Sequence, residues 1–317
     1  MTLSILWLLF LSALGSTQLI GNHSSKALLP AASPQKAKRV TTGDYGTPTQ
    51  LSILKDKSVK ESSGIAASRT VPGVYWTHND SGDGPFIYAF DTRGNSRGVW
   101  RVTGATATDW EDIAAGPGPK PGVSYLYIGD IGDNQSKRPE IVVYRVPEPD
   151  LKTGARAKSK ATSTAQAETF RFRYPDGSHD AEALLVHPHT GNLYIVTKIL
   201  FGNPGIYEAK APLTAGGTST LNLIGTLSVP SLLGGIITGG AISPDGRRVA
   251  FCDYMQGYEA VLENASAAFD AIWKRPLVSI SLGKRAQGEA ITYRLDSKAL
   301  LMTSEGSPMP LLQVVRK

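Results

Sequence analysis

Apolar and polar positions alternate along this chain in short runs, and clusters of Gly, Pro, Asn and Asp separate the runs. "VYWTHND", "YLYIGDIGDN", "LYIVTK", "RVAFCDY" and "ALLMTSE" are representative. A period of two marks a half-buried β-strand, and the separating residues are those that turns require. Sustained helical periodicity is scarce.

The runs repeat. Five segments open with "ESSGIAAS" from Glu61, "DWEDIAAGP" from Asp109, "DAEALLVHP" from Asp180, "TGGAISPDG" from Thr238 and "QGEAITY" from Gln287. Their third residues form the column Ser63, Glu111, Glu182, Gly240 and Glu289, spaced by 48, 71, 58 and 49 residues. Their first residues form the column Glu61, Asp109, Asp180, Thr238 and Gln287. Each opening run precedes a second, and these align at His78, Asp130, Thr197, Asp253 and Ser304. A third run follows in every segment and a fourth in four of them. Repeated four-strand units predict an all-β fold, a five-bladed β-propeller, in which radial packing protects the strand edges. The fifth segment stops after its third run. "TQLSILKD", Thr49 to Asp56, belongs to no repeat and is predicted to close the ring by pairing with "LLQVVRK". The longest interval admits a six-bladed alternative. It holds a Lys/Thr/Ala-rich insert, Leu151 to Glu168, rather than a full set of strands, and an exposed loop is predicted there.

Composition narrows the class. The 317 residues are 41% hydrophobic and 19% charged, as in a globular protein. "MTLSILWLLFLSALGSTQ" is too short to span a bilayer comfortably, and Ala13-Leu14-Gly15 fits a small-x-small cleavage pattern. The expected organisation is a signal peptide over 1–15, a flexible segment over 16–48 and one propeller domain over 49–317. The expected product is secreted, monomeric and free of the membrane after cleavage. A single cysteine, Cys252, excludes an intramolecular disulfide, and its alternating context predicts a small buried core residue. The net charge of +6 gathers in "KAKR", in Lys55, Lys57 and Lys60, and in the long insert. No basic face interleaved with aromatics results, so no nucleic-acid partner is expected. N-x-S/T sequons stand at Asn22, Asn79, Asn134 and Asn264.

The columns carry the candidate chemistry. The first strand of each propeller blade lines the central channel, so Glu111, Glu182 and Glu289 are expected to face one another. Asp109, Asp180 and Glu61 form a second acidic layer nearer the mouth. Confined carboxylates repel, and they either protonate or recruit a cation. The donors are hard oxygens without a His/Cys constellation, which suits calcium before magnesium or manganese. The alternative is that these acids bond backbone amides and brace the blades. "THNDSGDG" and "GDIGDN" are expected at the same mouth, bringing His78, Asp80, Asp130 and Asp133 as candidate catalytic groups. A histidine among acids serves as a general base or as a satisfied structural residue. "HPHTG" falls on a turn at the opposite face. No G-x-S-x-G elbow, Walker loop, H-E-x-x-H or Rossmann fingerprint is present. Two functions fit: a metal-dependent hydrolase of small ester, lactone or phosphoester substrates, or a non-catalytic extracellular propeller that binds carbohydrate or protein around a structural metal. Either places a small-molecule or glycan ligand at the channel mouth.

The stretch from Glu61 to Pro149, with "DWEDIAAGPGP" and "YIGDIGDNQSKRPEIVVYRVPEP", resembles a group of secreted, largely uncharacterised bacterial propeller proteins. That resemblance implies the propeller and secretion, not an activity. Five blades around an acidic axis are similar, in architecture alone, to the calcium-dependent apyrases, which hydrolyse nucleotides. No catalytic residue of that family carries over by motif.

Overall fold

A computed structural model describes residues 45–231, 234–264, 266–306 and 308–317. The proposed signal peptide and the sequon at Asn22 lie outside the described residues. Alternation becomes strand throughout. β1 (Thr49–Ile53) leads into blade 1, built from β2 (Ser62–Ala67), β3 (Val74–Asn79), β4 (Phe86–Asp91) and β5 (Ser96–Thr103). Blade 2 takes β6 (Trp110–Pro117), β7 (Ser124–Asp130) and β8 (Ile141–Pro147), and after β9 (Thr162–Gln166) it gains β10 (Glu168–Arg173). Blade 3 holds β11 (Ala181–Val186), β12 (Leu193–Thr197) and β13 (Gly205–Ala209), and after β14 (Thr218–Thr220) it gains β15 (Asn222–Thr226). Blade 4 runs through β16 (Gly239–Ile242), β17 (Arg248–Cys252), β18 (Gly257–Val261) and β19 (Val278–Ile280). Blade 5 comprises β20 (Gly288–Tyr293), β21 (Ala299–Ser304) and β22 (Pro310–Val315), with β1 as its outer strand.

The chain is a five-bladed β-propeller closed by its N-terminal strand. β1 pairs antiparallel with β22, from Thr49 opposite Gln313 to Ile53 opposite Pro310. Closure begins slightly earlier, because Tyr45 bridges Arg316 and its hydroxyl donates to Glu259 Oε1 at 2.6 Å. Inner strands β2, β6, β11, β16 and β20 touch in turn around the axis and back to β2.

The long insert is more than a loop. Part of it forms β9, which lies parallel to β5 as a fifth strand of blade 1. β14 does the same beside β10 in blade 2. Both cover backbone that would otherwise be an open edge.

Each boundary between blades is filled by its own apolar cluster. Trp76, Trp100 and Trp110 centre the one between blades 1 and 2. Tyr127, Phe170, Leu184 and Tyr207 join blades 2 and 3. Tyr194, Phe251 and Tyr258 join blades 3 and 4. Cys252 is fully buried between blades 4 and 5 with Met302 and Tyr293, and burial raises its thiol to about 11. Such aromatic packing contributes most of the burial that holds the ring. Among the described residues, no helix is long and apolar enough to cross a membrane.

Candidate functional site

The inner strands do not run regularly to their ends. In four of them one extra residue is bulged out of the ladder just inside the start. Pairing skips between Ser62 and Gly64, Trp110 and Asp112, Ala181 and Ala183, and Gly288 and Ala290. The skipped residues are Ser63, Glu111, Glu182 and Glu289. A bulge re-aims one side chain without moving the strand that follows. β16 carries no bulge, and Gly240 sits in its regular ladder opposite Phe251.

A second feature recurs beside the bulge. The residue after each second strand donates its backbone N–H to the residue two before the bulge: Asp80 to Glu61, Ile131 to Asp109, Lys198 to Asp180 and Glu305 to Gln287. Ile131 enters the apolar cluster between blades 2 and 3, while the other three first loop residues are charged. Asp80, Lys198 and Glu305 join the acids.

The result is a crowded acidic centre. Glu111, Glu182 and Glu289 are buried, while Asp80, Asp109 and Asp180 are half-buried. Carboxylate oxygens of Asp80, Asp109 and Glu111 all lie within 4.8 Å of one another and form a cluster that could hold a metal ion. Burial, then Glu182, Asp80, Asp109 and Asp180, lifts the Glu111 carboxyl well above the usual range. Burial, then Glu182, pushes Glu289 up to about 8. Burial, then Asp80 and Asp180, pushes Asp109 up to about 6. Glu182 rises to about 7 by burial, against the pull of Lys198. Lys198 contacts Glu182 Oε1 with its ammonium, which lies 5.5 Å from the centre of the Tyr254 ring. The second oxygen, Glu182 Oε2, is buried with no hydrogen-bond partner.

Gln287 donates to Glu289 Oε1 at 2.7 Å, and Ser63 Oγ donates to the Glu111 carbonyl at 2.8 Å. Glu61, from the same column as Asp109 and Asp180, is exposed, and its carbonyl rather than its carboxylate ties down Asp80.

The other expected residues are placed differently. His78 is fully buried beneath the mouth, with Nδ1 2.9 Å from the Asn79 carbonyl and its ring edge-on to Trp110 at 5.7 Å. Burial lowers its pKa, so the imidazole is neutral. The residue level with Asp130, Thr197 and Ser304 is Asn79, since Asn79 pairs with Ser62 before the bulge. Its buried amide accepts from Lys60 and Glu61 and donates to Ser58, which leaves no room for a glycan. Asp130 accepts from the backbone of Thr108 and Asp109 and pairs with Arg138 at 2.7 Å. Asp133 Oδ2 accepts from Arg138 N at 2.6 Å, and Asp133 N donates to Asp180 Oδ1 at 2.8 Å. Asp253 caps its own turn, accepting from Met255 and Gln256. Asp130 and Asp133 thus hold Asp109 and Asp180 in place.

Two groups, Asp112 buried and Lys198 half-buried, escape sequence reasoning. Asp112 accepts from Leu184 N at 3.0 Å and Ile113 N at 2.8 Å, and so braces blade 2 against blade 3. Lys198 stands one residue past the column that ends at Thr197. Its signal was the placement of a charged residue directly after a second strand, as at Asp80 and Glu305.

Below the acids the channel changes character. A cavity of about 320 Å³ is lined by Ile65, Ile113, Leu185, Ile242 and Tyr293. The acids therefore occupy one mouth only.

No protein-family model matches the chain, and no curated protein matches it. Among solved structures, a gluconolactonase from Xanthomonas campestris is similar over 92% of this chain and 99% of that one, with 12% sequence identity and a TM-score of 0.42.

Proposed function

We propose that the acidic centre holds one divalent cation, calcium for preference, and that the protein hydrolyses small ester, lactone or phosphoester substrates there. The observation that carries this reading is Glu182 Oε2, buried without a partner among carboxylates that burial and mutual repulsion raise above their ordinary range. An unpaired buried carboxylate oxygen is costly, and a cation satisfies it. The donors are all oxygens, which fits calcium.

Asp80, Asp109 and Glu111, whose carboxylate oxygens already converge, would hold the ion, and Glu182 and Glu289 would complete its shell. A bound divalent ion polarises a substrate oxygen and lowers the pKa of water beside it. Asp109, half-buried at the edge of the cluster, would accept the proton of the attacking water. Lys198 offsets negative charge on the substrate. Asp130, Asp133 and Arg138 position Asp109 and Asp180 rather than touching substrate. His78 takes no part, being sealed between the blades. The ligand is a small molecule at the mouth, and export follows from the leader-like residues 1–15.

Metal analysis of the purified protein tests the centre. One equivalent of divalent ion is expected, and Glu182→Gln should weaken its affinity at least about tenfold. Absence of any stoichiometric divalent ion would overturn the reading. A second reading has one observation in its favour: Asp130 and Asp133 are consumed by internal hydrogen bonds, and His78 is fully buried beneath the mouth. The ion is then structural, and the propeller binds without turnover. A loaded protein that hydrolyses no ester, lactone or phosphoester would favour it.

A further inference from the structure

Among the described residues, the three most exposed large apolar side chains are Met255 at 81%, Phe201 at 72% and Leu200 at 59%. The remaining ones are scattered and no more than 48% exposed. All three lie on two loops that meet at one contact. Leu200 and Phe201 follow Lys198 in the loop between β12 and β13, and Met255 follows Tyr254 in the loop between β17 and β18. The Lys198 ammonium over the Tyr254 ring joins the two loops, and the same ammonium contacts Glu182. The backbone of Tyr254 accepts from Gly288 N, next to Glu289. The first loop is also tied to blade 4, where Ile199 N donates to the Gly235 carbonyl at 3.0 Å. An apolar lip therefore stands on blades 3 and 4, within three residues of groups that touch the acidic centre.

Exposed Leu, Phe and Met are costly in water unless something covers them. Three side chains make too small a patch for a protein interface, which takes roughly 800 Å² from each partner. They suit a short hydrocarbon segment, and Met adapts to varied shapes. The lip also lies on the side where the inner strand contributes no acid, since β16 has no bulge. A substrate whose polar group reaches the acids from that side lays its remainder across Leu200, Phe201 and Met255.

We infer that the centre takes esters or lactones carrying an aliphatic or aromatic tail, and that Leu200, Phe201 and Met255 bind the tail. This rests on the hydrolase reading. The test uses the full-length, calcium-loaded protein with 4-nitrophenyl acetate and octanoate, and with an unsubstituted and a hexyl-substituted lactone. The octanoate is expected to give kcat/KM at least about tenfold above the acetate, because even partial burial of its extra methylenes is favourable. The triple variant L200S/F201S/M255S should bring that ratio to within about twofold of unity with one ion still bound. A variant-free arm uses straight-chain alcohols as inhibitors, which should strengthen at least about tenfold from butanol to decanol.

Turnover with no chain-length preference overturns this inference and leaves the hydrolase reading standing. A triple variant that keeps the preference also overturns it. No turnover of any of the four compounds overturns this inference together with the ester and lactone parts of the hydrolase reading. A wild-type dimer that the triple variant dissolves, together with flat selectivity, assigns the lip to a second copy of the chain and overturns the inference.

Discussion

Gly132 has no side chain, and Glu111 and Asp109 use the space. A Cβ there would stand 2.2 Å from Glu111 Oε1 and 2.5 Å from Asp109 Oδ2. The loop after β7 can therefore press against the acids, and Arg138 Nη1 grips the Gly132 carbonyl at 2.6 Å from the far side. Gly132→Ala must push at least one carboxylate away. It is expected to weaken calcium binding about tenfold, measured by calorimetry, while the circular dichroism of the sheets stays unchanged. Wild-type affinity in that variant would mean that Glu111 and Asp109 are not ligands. The same stretch marks the limit of what sequence reveals at this scale. "GDIGDN" reads equally well as a turn or a site, because Gly and Asp serve both. Its aspartates bond to Arg138 and to the backbone, and its glycine leaves the room that Glu111 and Asp109 occupy.

At the scale of elements the decisive feature is the bulge. Alternation and column spacing made the blades, the inner strands and the closing strand legible, because burial on a repeating scaffold imposes a period of two. A bulge adds one residue without disturbing the period on either side, so it leaves no hydrophobic trace. Aligning second strands without it places His78 in the column that Asn79 occupies, and it ends the view at Thr197, one short of Lys198. The added strands were hidden for a related reason. β9 is polar and largely exposed, and it is held by its backbone and by threonine hydroxyls rather than by apolar side chains. The two kinds of edge strand should differ sharply in worth. Deleting 45–53 leaves the outer edge of β22 unpaired and removes the Tyr45 bond to Glu259, and the melting temperature should drop by roughly 10 °C or more. Replacing 152–167 by a short Gly/Ser linker removes β9 but leaves blade 1 with four strands, and only a few degrees should be lost. Equal losses from the two deletions would count against closure by β1.

For the molecule as a whole, the acids set a pH dependence. Glu289 held at about 8, Glu182 at about 7 and Asp109 at about 6 all return to ordinary carboxylate values near 4 when the chain unfolds. Between about pH 4.5 and 8 the cation-free folded protein therefore binds more protons than the unfolded chain, and its stability falls as pH rises through that window. Melting temperature in the presence of a chelator should decline from pH 5 to pH 8. Calcium replaces the protons as partner, so saturating ion should flatten the curve and raise it most at the alkaline end, by about 2.7 kcal/mol at a hundred times Kd. A chelated protein whose melting temperature does not fall with pH would refute the crowding of the carboxylates.

The closing strand also imposes an order in time. Thr49 and Gln313, which pair, are roughly 260 residues apart in the chain. Strand β1 is synthesised before any blade and finds its partner only after the last dozen residues have appeared. Until then its exposed Leu51 and Ile53 have no sheet to join, and the unfinished fifth blade offers a bare edge to any neighbouring chain. The latch that gives the finished ring its continuity is thus the slowest piece to engage, and crowded, half-made copies are most vulnerable to one another just before it does.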